Sequence, residues 1–163
     1  MRKRQPDTEA QRLVQTYADL VLRLGYTYLK STHDAEDVCQ NVLIKLLRNE
    51  RSFESAEHER AWIVRTTANA CKDVLRSARR RTSVALDAVA EAAAPEVPDS
   101  AVLEAVMELS QPFREALYLH YYEGYTAREI ADMTGGTEDA VAARLSRGRK
   151  KLRALLEGAD DDR

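Results

Sequence analysis

The sequence contains few of the residues that interrupt helices. Its 163 residues include six glycines and four prolines, while Ala, Leu, Arg and Glu, which favour helices, are abundant. We therefore expect an all-α protein. No apolar run approaches the roughly 20 residues that span a bilayer, which predicts no direct membrane insertion. No apolar segment follows the basic N-terminus, so we expect no signal peptide and a cytoplasmic location.

Catalytic and metal-binding groupings are also missing from the sequence. Cys39 and Cys71 are its two cysteines. Each lies within an apolar helical pattern, which favours small buried side chains over a redox pair between two helices. The histidines at positions 33, 58 and 120 are scattered. With no nucleophile–base arrangement and no glycine-rich phosphate loop, we expect no cofactor, no metal, no small-molecule substrate and no enzymatic activity.

Charge is segmented along the chain, although the net charge is only −2. Residues 1–81 carry 16 Lys/Arg and 11 Asp/Glu, whereas residues 82–110 carry no Lys/Arg and six Asp/Glu. Residues 111–156 carry eight Lys/Arg and six Asp/Glu, and residues 157–163 carry one Lys/Arg and four Asp/Glu. The four net charges are therefore +5, −6, +2 and −3. Two basic bodies separated by an acidic segment suit a nucleic-acid binder better than the whole-chain charge does.

The same division predicts two small helical domains. The first covers residues 1–81, and the second, which ends in a helix-turn-helix, covers residues 99–156. Residues 82–98 are alanine-rich, acidic and poor in large apolar side chains, so we expect a flexible acidic linker there. Residues 157–163 form an acidic tail that we expect to be disordered.

Apolar residues at helical spacing predict three helices in the first domain. The first runs over about residues 8–30 and ends in a turn at residues 31–33. The second runs over residues 34–49, with Asp34 as its expected cap. A polar loop over residues 50–58 then leads into the third helix, at about residues 59–81.

One stripe along each helix is expected to be buried. On the first two helices the stripes consist of Leu13, Tyr17, Leu20, Leu24, Tyr28, Val38, Val42 (or Cys39) and Leu46. On the third helix the inner face is expected to hold Trp62 or Ile63, Thr66, Ala70, Val74 and Ala78. In the second domain the expected packing residues are Val102, Leu103, Val106, Met107, Leu109, Leu117, Tyr118, Tyr121 and Tyr122, with Ser110 as a cap between two helices.

The stretch Tyr125–Arg153 predicts the helix-turn-helix. Thr126 and Glu129 form a capping box for a short helix. Gly135-Gly136 breaks that helix, since glycine adopts positive φ without penalty. Thr137 then caps a longer helix, whose acidic first turn suits the helix dipole.

The longer helix combines an apolar stripe with a cationic face, as a DNA-recognition helix does. The stripe consists of Val141, Leu145, Leu152 and Leu155. The cationic face holds Arg144, Arg147 and Lys151. An ordinary helical hairpin with a solvated basic face is the alternative, and the tight double-glycine turn and one-sided charge favour DNA.

Three segments of the sequence resemble the extracytoplasmic-function class of bacterial RNA polymerase sigma factors, in the sigma-70 family. DAEDVCQNVLIKLLRN (Asp34–Asn49) is similar to the family's core-polymerase-binding segment. AWIVRTTANACKDVLR (Ala61–Arg76) is similar to its promoter-opening and −10-reading segment, and residues 108–156 resemble its −35-reading module. The resemblance implies a protein without a catalytic centre that gives RNA polymerase its promoter choice.

The resemblance implies two partners for the first domain. Core RNA polymerase would be bound by Asp34, Glu36, Asp37, Gln40 and Asn41. The unwound non-template strand at the −10 element would be held by Arg65, Asn69, Lys72, Arg76 and Arg80, which offer a cationic track and base-reading groups. An extruded base would be read by the loop at residues 49–57. Trp62 is expected to anchor the core, with stacking on a base as the alternative, and Asp73 is expected to orient Arg76 or Asn69.

For the second domain the resemblance implies contacts with duplex −35 DNA. These would be made by Arg128, Thr137, Ala142, Ala143, Arg144, Arg147 and Lys151. Asp139, Ala140 and Ala142 stand where family members usually have Gly, Thr and Lys, which implies a weaker or altered upstream element. An anti-sigma factor that masks the basic faces is a further implied partner.

A stand-alone helix-turn-helix repressor or activator is the main alternative. Such a protein has no need of Asp34–Asn49 followed by a basic strand-binding helix, and it usually carries a ligand pocket or a dimer interface. An enzyme that modifies DNA or RNA is a third possibility, disfavoured because no acid–base or metal set occurs.

Overall fold

The computed structural model describes residues 6–49, 52–82 and 101–161. Within these ranges the chain forms α-helices and one short π-helical segment, and no strand occurs there, which confirms the predicted all-α class. The helices belong to two units, divided between residues 93 and 94. Apart from Thr82, the predicted linker at residues 82–98 lies outside the described residues, so its flexibility stays a prediction.

The first unit is an assembly of three helices: α1 (Pro6–Leu29), α2 (Thr32–Arg48) and α3 (Ala56–Thr82). The predicted stripes of α1 and α2 are buried, which confirms Leu13, Tyr17, Leu20, Leu24, Tyr28, Val38, Cys39, Val42 and Leu46. Gly25 allows α1 to approach α2 closely, because a Cβ added there would lie 3.2 Å from the Cβ of Ala35.

The turn between α1 and α2 differs from the prediction. Lys30 adopts a left-handed backbone conformation with φ of 53°, and Thr32 and His33, expected in the turn, already belong to α2. The Ser31 hydroxyl accepts a hydrogen bond from the Asp34 amide at 3.2 Å. Ser31 is therefore the cap, and the prediction that Asp34 caps this helix was wrong. Serine and aspartate cap helices about equally well, so residue type alone could not separate them.

Helix α3 begins three residues before its predicted start. The Ser55 hydroxyl accepts a hydrogen bond from the His58 amide at 3.0 Å, so the helix starts at Ala56 rather than at Glu59. The predicted polar loop is correspondingly shorter. The sequence contains a capping residue at this point, but the first turn lacks a large apolar residue that would have marked the helix.

Ile63, the second of the two residues predicted for its position, is buried, but the rest of the inner face of α3 is displaced by one position from the predicted one. Its fully buried residues are Ile63, Val64, Thr67, Ala68 and Cys71, whereas the predicted Trp62, Thr66, Ala70 and Val74 are half-buried and Ala78 is exposed. Thr67 tolerates burial because its hydroxyl donates to the carbonyl of Ile63 at 2.7 Å, which satisfies the only polar group of the side chain.

A polar network joins the start of α3 to α1. Arg12 donates one hydrogen bond to each carboxylate oxygen of Glu59, both at 3.0 Å, and another to Glu9 at 2.7 Å. The hydroxyl of Tyr17 donates to Glu59 at 2.6 Å. Hydrogen bonds from Arg12, and then from Tyr17, hold the pKa of Glu59 below its ordinary value. Burial and the contact with Glu59 raise the pKa of Tyr17 to about 12.

In its described part the second unit contains α4 (Ala101–Glu108), α5 (Gln111–Leu117), a π-helical segment (Tyr118–Tyr122), α6 (Ala127–Thr134) and α7 (Glu138–Asp161). Helices α4, α5 and α6 all contact α7, which makes α7 the central element of this unit. The buried core includes Leu109, Leu117, Leu119, Ile130, Met133, Val141 and Leu145.

Two packing expectations for the second unit were wrong. Val102 is 51% exposed, and Ala105 is the buried residue of α4. Tyr121 and Tyr122, expected to pack, are each 59% exposed. Both tyrosines belong to the π-helical segment. Its wider turn shifts side chains away from the direction that an α-helical pattern predicts, which accounts for their exposure.

The helix ends of the second unit also need correction. Ser110 precedes α5 as predicted, but its side chain makes no capping hydrogen bond. Helix α7 continues to Asp161, so residues 157–161 of the tail expected to be disordered are helical. Leu152 and Leu155 of the predicted stripe are half-buried rather than buried.

Replacing Glu59 with Gln should destabilise the first unit by about 1–3 kcal/mol, because Arg12 loses its charged hydrogen-bond partner. Urea unfolding can be followed by the fluorescence of Trp62, the only tryptophan of the chain. Glu57→Gln removes an exposed carboxylate from the same helical turn and should change the stability by less than about 0.5 kcal/mol. Equal effects of the two substitutions would show that the network adds nothing specific.

The difference between wild type and Glu59→Gln should also depend on pH. A carboxylate whose folded-state pKa lies below its ordinary 4.5 stabilises the fold above that value. This contribution is lost as the pH falls through the folded-state pKa. The two proteins should therefore converge in stability as the solution is acidified below about pH 4.5, and a constant difference would contradict the assignment.

Candidate nucleic-acid interface

Helix α3 carries a polar and cationic face opposite its buried stripe. It consists of Arg65, Asn69, Lys72, Arg76 and Arg80, the five residues predicted to hold a single strand. They recur every three or four residues and so share one side of the helix. Lys72 is half-buried and the other four are exposed. The structure thus brings all five together on one surface, which we call the α3 cationic face.

One carboxylate interrupts the α3 cationic face. Asp73 lies 3.5 Å from the guanidinium of Arg76, and both side chains are largely exposed. This spacing and distance agree with the expectation that Asp73 orients Arg76. The pair lowers the local positive charge without removing the remaining donors of Arg76.

A cavity of about 500 Å³ opens beside the loop that leads into α3. Its walls include the apolar side chains of Leu13 and Leu46, and Asn49, Ser52 and Phe53 lie at the loop side. Polar and charged side chains, among them Glu9, Arg12 and Glu59 of the network described above, make up more than half of its lining. The sequence placed base reading in this loop but could not show that a cavity adjoins it.

The rings of Phe53, His58 and Trp62 pack against one another near this loop. The ring of Phe53 lies 5.4 Å from that of His58 and 5.8 Å from that of Trp62, measured between centroids. Trp62 is half-buried. Trp62 is therefore not a buried core residue as expected; its ring contacts the loop residue Phe53, and its role as an anchor stays a prediction.

The residues predicted to bind core polymerase lie along α2. Glu36, Asp37, Gln40 and Asn41 are exposed at helical spacing and form one polar patch. Asp34 is half-buried, and its amide is engaged in the helix cap. The structure therefore groups four of the five predicted residues on an open surface and leaves the fifth at its edge.

Sequence reasoning missed an apolar residue on the same surface. Ile44 is 43% exposed and follows Gln40 and Asn41 by four and three residues, so it continues their side of α2. Exposed large apolar side chains next to polar ones are typical of the centre of a protein–protein interface. The available signal was that position 44 falls outside the buried stripe of Val38 and Val42.

The caps and the glycine turn of the helix-turn-helix lie where the sequence predicted them, but the Glu129 carboxylate accepts from the Thr126 hydroxyl at 3.1 Å and not from the backbone amide that a capping box engages. The Thr126 hydroxyl accepts a hydrogen bond from the Glu129 amide at 3.2 Å and caps α6. Gly135-Gly136 adopts φ angles of 79° and 139°, which other residues rarely adopt. The Thr137 hydroxyl then accepts a hydrogen bond from the Ala140 amide at 3.1 Å and caps α7.

Helix α7 turns one side to its own unit and the other to solvent. Val141 and Leu145 are buried. The opposite side carries Asp139, Ala143, Ser146, Arg147 and Lys150, of which only Ala143 is half-buried. We call this set the outer face of α7. Lys150, absent from the predicted site, belongs to it because it follows Arg147 by three residues.

The other predicted contacts of the second unit are distributed around this outer face. Arg128 is exposed in the first turn of α6, and Thr137 and Ala142 are exposed on α7. Arg144 is half-buried. The Lys151 ammonium lies 5.5 Å from the centroid of the Phe113 ring, so a cation–π contact holds it toward its own unit.

Other kinds of site receive no support from the described part of the chain. No group of three or more His, Cys, Asp or Glu side chains there is placed to hold a metal ion. No helix in that part is long and apolar enough to cross a membrane. Cys39 and Cys71 are both buried and neither forms a disulfide, which confirms the predicted packing role, and burial raises the pKa of Cys39.

Two family models match the chain, and together they cover both units. Sigma-70 region 2 matches residues 13–81, which include the polar patch of α2 and the α3 cationic face. Sigma-70 region 4 matches residues 99–152, which include the helix-turn-helix.

Among characterised relatives, the chain is 34% identical to the ECF RNA polymerase sigma factor SigE of Mycolicibacterium smegmatis, over 88% of this chain and 60% of that protein. It is 32% identical to the RNA polymerase sigma factor CarQ of Myxococcus xanthus, over 75% and 74%. It is 31% identical to the ECF RNA polymerase sigma factor SigM of Mycobacterium tuberculosis, over 82% and 70%. The chain thus spans less than two thirds of SigE but most of the other two.

Solved structures share the fold. The sigma factor RpoE of Bartonella quintana, in complex with the anti-sigma factor NepR, is similar with a TM-score of 0.75 and 22% identity, over 92% of this chain and 98% of that one. CnrH, in complex with the cytosolic domain of CnrY, is similar with a TM-score of 0.62 and 22% identity, over 93% and 90%. The matches to both sigma-70 regions and the extended identity to three sigma factors lead to one conclusion: this chain belongs to the extracytoplasmic-function class of the sigma-70 family.

Proposed function

We propose that this protein binds core RNA polymerase and directs transcription initiation at promoters that it selects through a −10 and a −35 element. The observation that carries the proposal is the occurrence, in one chain, of the α3 cationic face and of a complete helix-turn-helix. The first suits an unpaired strand and the second suits duplex DNA. A promoter offers both forms once the polymerase begins to open it.

Core polymerase would be bound by the polar patch of α2. Asp37, Gln40 and Asn41 are exposed there, and the Asp37 carboxylate lies 3.6 Å from the His33 ring on the same helix. Ile44 adds an apolar contact at the centre of the same side. Polar groups at the margin would set the orientation, and burial of Ile44 would contribute most of the affinity.

The unpaired non-template strand would follow the α3 cationic face. Arg65, Arg76 and Arg80 offer guanidinium groups to successive phosphates, and Asn69 offers an amide that can donate to and accept from a base edge. The cavity beside the loop has the size to take one extruded base. This arrangement would trap the strand after it separates and so favour promoter opening.

Duplex DNA would be bound by α6 and α7. The outer face of α7 would enter the major groove, with Arg147 as the candidate for a bidentate contact to guanine. Arg128, Thr137 and Lys150 would contact the phosphate backbone. Ala142 and Ala143 would lie close to the bases and contribute apolar contact only.

Regulation by an anti-sigma factor is part of the proposal. One similar solved structure holds the sigma factor RpoE with the anti-sigma factor NepR, and the other holds CnrH with the cytosolic domain of CnrY. A protein partner of this kind would mask the α2 patch and the α3 cationic face. We further propose that the protein acts in the cytoplasm, where the polymerase acts, and contributes binding and strand separation rather than a reaction of its own.

A repressor or activator that acts without polymerase would need only the second unit. The exposed α2 patch with Ile44 and the α3 cationic face have no role in that alternative. Reconstitution of the purified chain with core polymerase on genomic fragments, with mapping of start sites, separates the two. Initiation at discrete sites supports the sigma-factor function, whereas tight binding to intact operators without initiation supports the alternative.

Replacing Asp37 and Gln40 together with alanine should abolish co-purification with core polymerase, because both residues belong to the proposed binding patch of α2. The fold should stay intact, because both side chains are exposed. The matched control is the pair Gln15→Ala and Asp19→Ala, which removes the same two residue types from exposed positions on α1. The control should co-purify as the wild type does. Retention of the polymerase by the first variant would overturn the assignment of the α2 patch.

Arg147→Ala should reduce transcription from a cognate promoter by about tenfold or more, as expected for a lost bidentate base contact of about 1–3 kcal/mol. Arg144→Ala should have a smaller effect because Arg144 is half-buried. Lys151→Ala removes the same charge but from a side chain held over Phe113, and it serves as the comparison. Unchanged transcription by the Arg144 and Arg147 double variant would show that α7 does not enter the groove.

Asp139 should determine the preference for one base pair of the upstream element. Its carboxylate is exposed in the first turn of α7, where recognition helices contact base edges. It can accept from the amino group of cytosine but cannot pair with the acceptors of guanine. In transcription from a promoter library with a randomised upstream element, Asp139→Gly should relax this preference by about 1–3 kcal/mol. Glu138→Gln, the neighbouring exposed acid, should leave the preference intact.

A further inference from the structure

The side chain of Arg149 is held in place by a residue that lies 28 positions earlier in the chain. Its Nη1 donates a hydrogen bond to the Tyr121 hydroxyl at 2.9 Å. Tyr121 belongs to the π-helical segment before the helix-turn-helix, and Arg149 belongs to α7. Both residues are exposed, so burial of apolar surface explains neither side chain's position.

Tyr121 is itself supported by its neighbours. Its ring packs edge-on against His120, with 4.8 Å between the ring centroids. His120 Nδ1 lies 2.7 Å from the carbonyl oxygen of Tyr125, and because a carbonyl can only accept, this nitrogen donates. A continuous series of contacts therefore runs from the backbone at Tyr125 through His120 and Tyr121 to Arg149.

The partner of Arg149 leaves its charge uncompensated. Tyr121 is a neutral acceptor, and it uses one of the five N–H donors that a guanidinium carries. No carboxylate within the described residues is paired with Arg149 by an ion-pair contact. An exposed, oriented guanidinium with donors to spare suits a phosphate group, which accepts two parallel hydrogen bonds from arginine.

The position of Arg149 places it beside the outer face of α7. It follows Ala142 by seven residues and Ser146 by three, so the three share one row along the helix. All three are exposed, and this row adjoins the one that holds Arg147 and Lys150. A duplex seated on the outer face would bring its nearer backbone alongside this row.

We infer that Arg149 is an additional phosphate-contacting residue of the −35 interface and that Tyr121 is its positioning residue. This inference rests on the proposed function of α7 as a recognition helix. The hydrogen bond restricts the rotamers of a long side chain before DNA arrives, which lowers the entropy lost when the contact forms. The ligand class is the sugar–phosphate backbone of duplex DNA, and no base specificity is assigned to this pair.

The test measures promoter binding by the full-length protein with core polymerase over a series of salt concentrations. Arg149→Ala removes one phosphate contact, and the slope of log K against log salt should fall by about 0.9. Tyr121→Phe keeps the charge, so it should weaken binding several-fold without changing the slope. Arg149→Lys should retain the slope and lose the response to Tyr121→Phe, because an ammonium lacks the planar fork that the hydroxyl orients.

The double variant of Tyr121→Phe and Arg149→Ala tests directly whether Tyr121 positions Arg149. If Tyr121 acts through Arg149, the tyrosine substitution should have no further effect once the arginine is gone. An unchanged salt slope for Arg149→Ala would overturn the phosphate contact, and a full additive effect in the double variant would overturn the positioning role. Thermal unfolding of Tyr121→Phe, expected at the wild-type temperature, checks that the fold is intact.

Arg147→Ala separates failure of this inference from failure of the proposed function. If Arg147→Ala weakens promoter binding and Arg149→Ala leaves both affinity and slope unchanged, the helix-turn-helix binds DNA but Arg149 does not contact it. If neither substitution has an effect, α7 does not bind the promoter, and both the inference and the −35 assignment are wrong.

Discussion

Burial of one apolar stripe along each long helix is the constraint on which every proposed contact depends. On α3, Ile63, Thr67 and Cys71 have no exposed surface, so residues on the opposite side cannot avoid solvent. On α7, Val141 and Leu145 impose the same condition on Arg147. The cations are therefore presented to partners as a consequence of packing, and none of them has to be held in an apolar environment, where an unpaired charge is costly.

Contacts at the helix ends then decide in which direction each exposed face points. A helix turns by about 100° per residue, so a shift of one residue in its start would rotate the whole face if the stripe did not hold it. Ser31, Ser55, Thr126 and Thr137 each accept a backbone amide at a helix start. Where the loop meets α3, Glu59 adds a connection to α1 that is anchored by charge rather than by apolar contact. The buried stripe and the cap together fix the orientation of each exposed helix face. A surface that binds a partner needs its side chains fixed in this way.

Much of the fold and part of the candidate site could be predicted because they depend on local patterns. The stripes of α1 and α2, the double-glycine turn and the Thr126 and Thr137 caps are all encoded within a few residues of one another. The rest depends on contacts between distant residues. The side chain of Lys151 is drawn to Phe113, and Tyr121 reaches Arg149 across 28 residues, and neither contact leaves a periodic signal. The exposure of Tyr121 escaped prediction because a π-helical turn is invisible to a 3.6-residue pattern.

The acidic average of the chain does not oppose DNA binding, because electrostatic interactions between exposed groups are local. At physiological salt the screening length is about 8 Å. Asp139 and Arg147 are eight residues apart on one helix, a rise of about 12 Å, so the carboxylate hardly weakens the attraction of Arg147 for a phosphate or a guanine. It would act on whatever lies within its own reach, which in the proposed complex would be a base edge or the nearest phosphate at the N-terminus of α7. One helix can thus hold an anion that discriminates and cations that attract, provided that they are separated by more than the screening length. In α7, Arg147 and Arg149 follow Asp139 by eight and ten residues and meet this condition, whereas Arg144, five residues on with a rise of about 7.5 Å, does not.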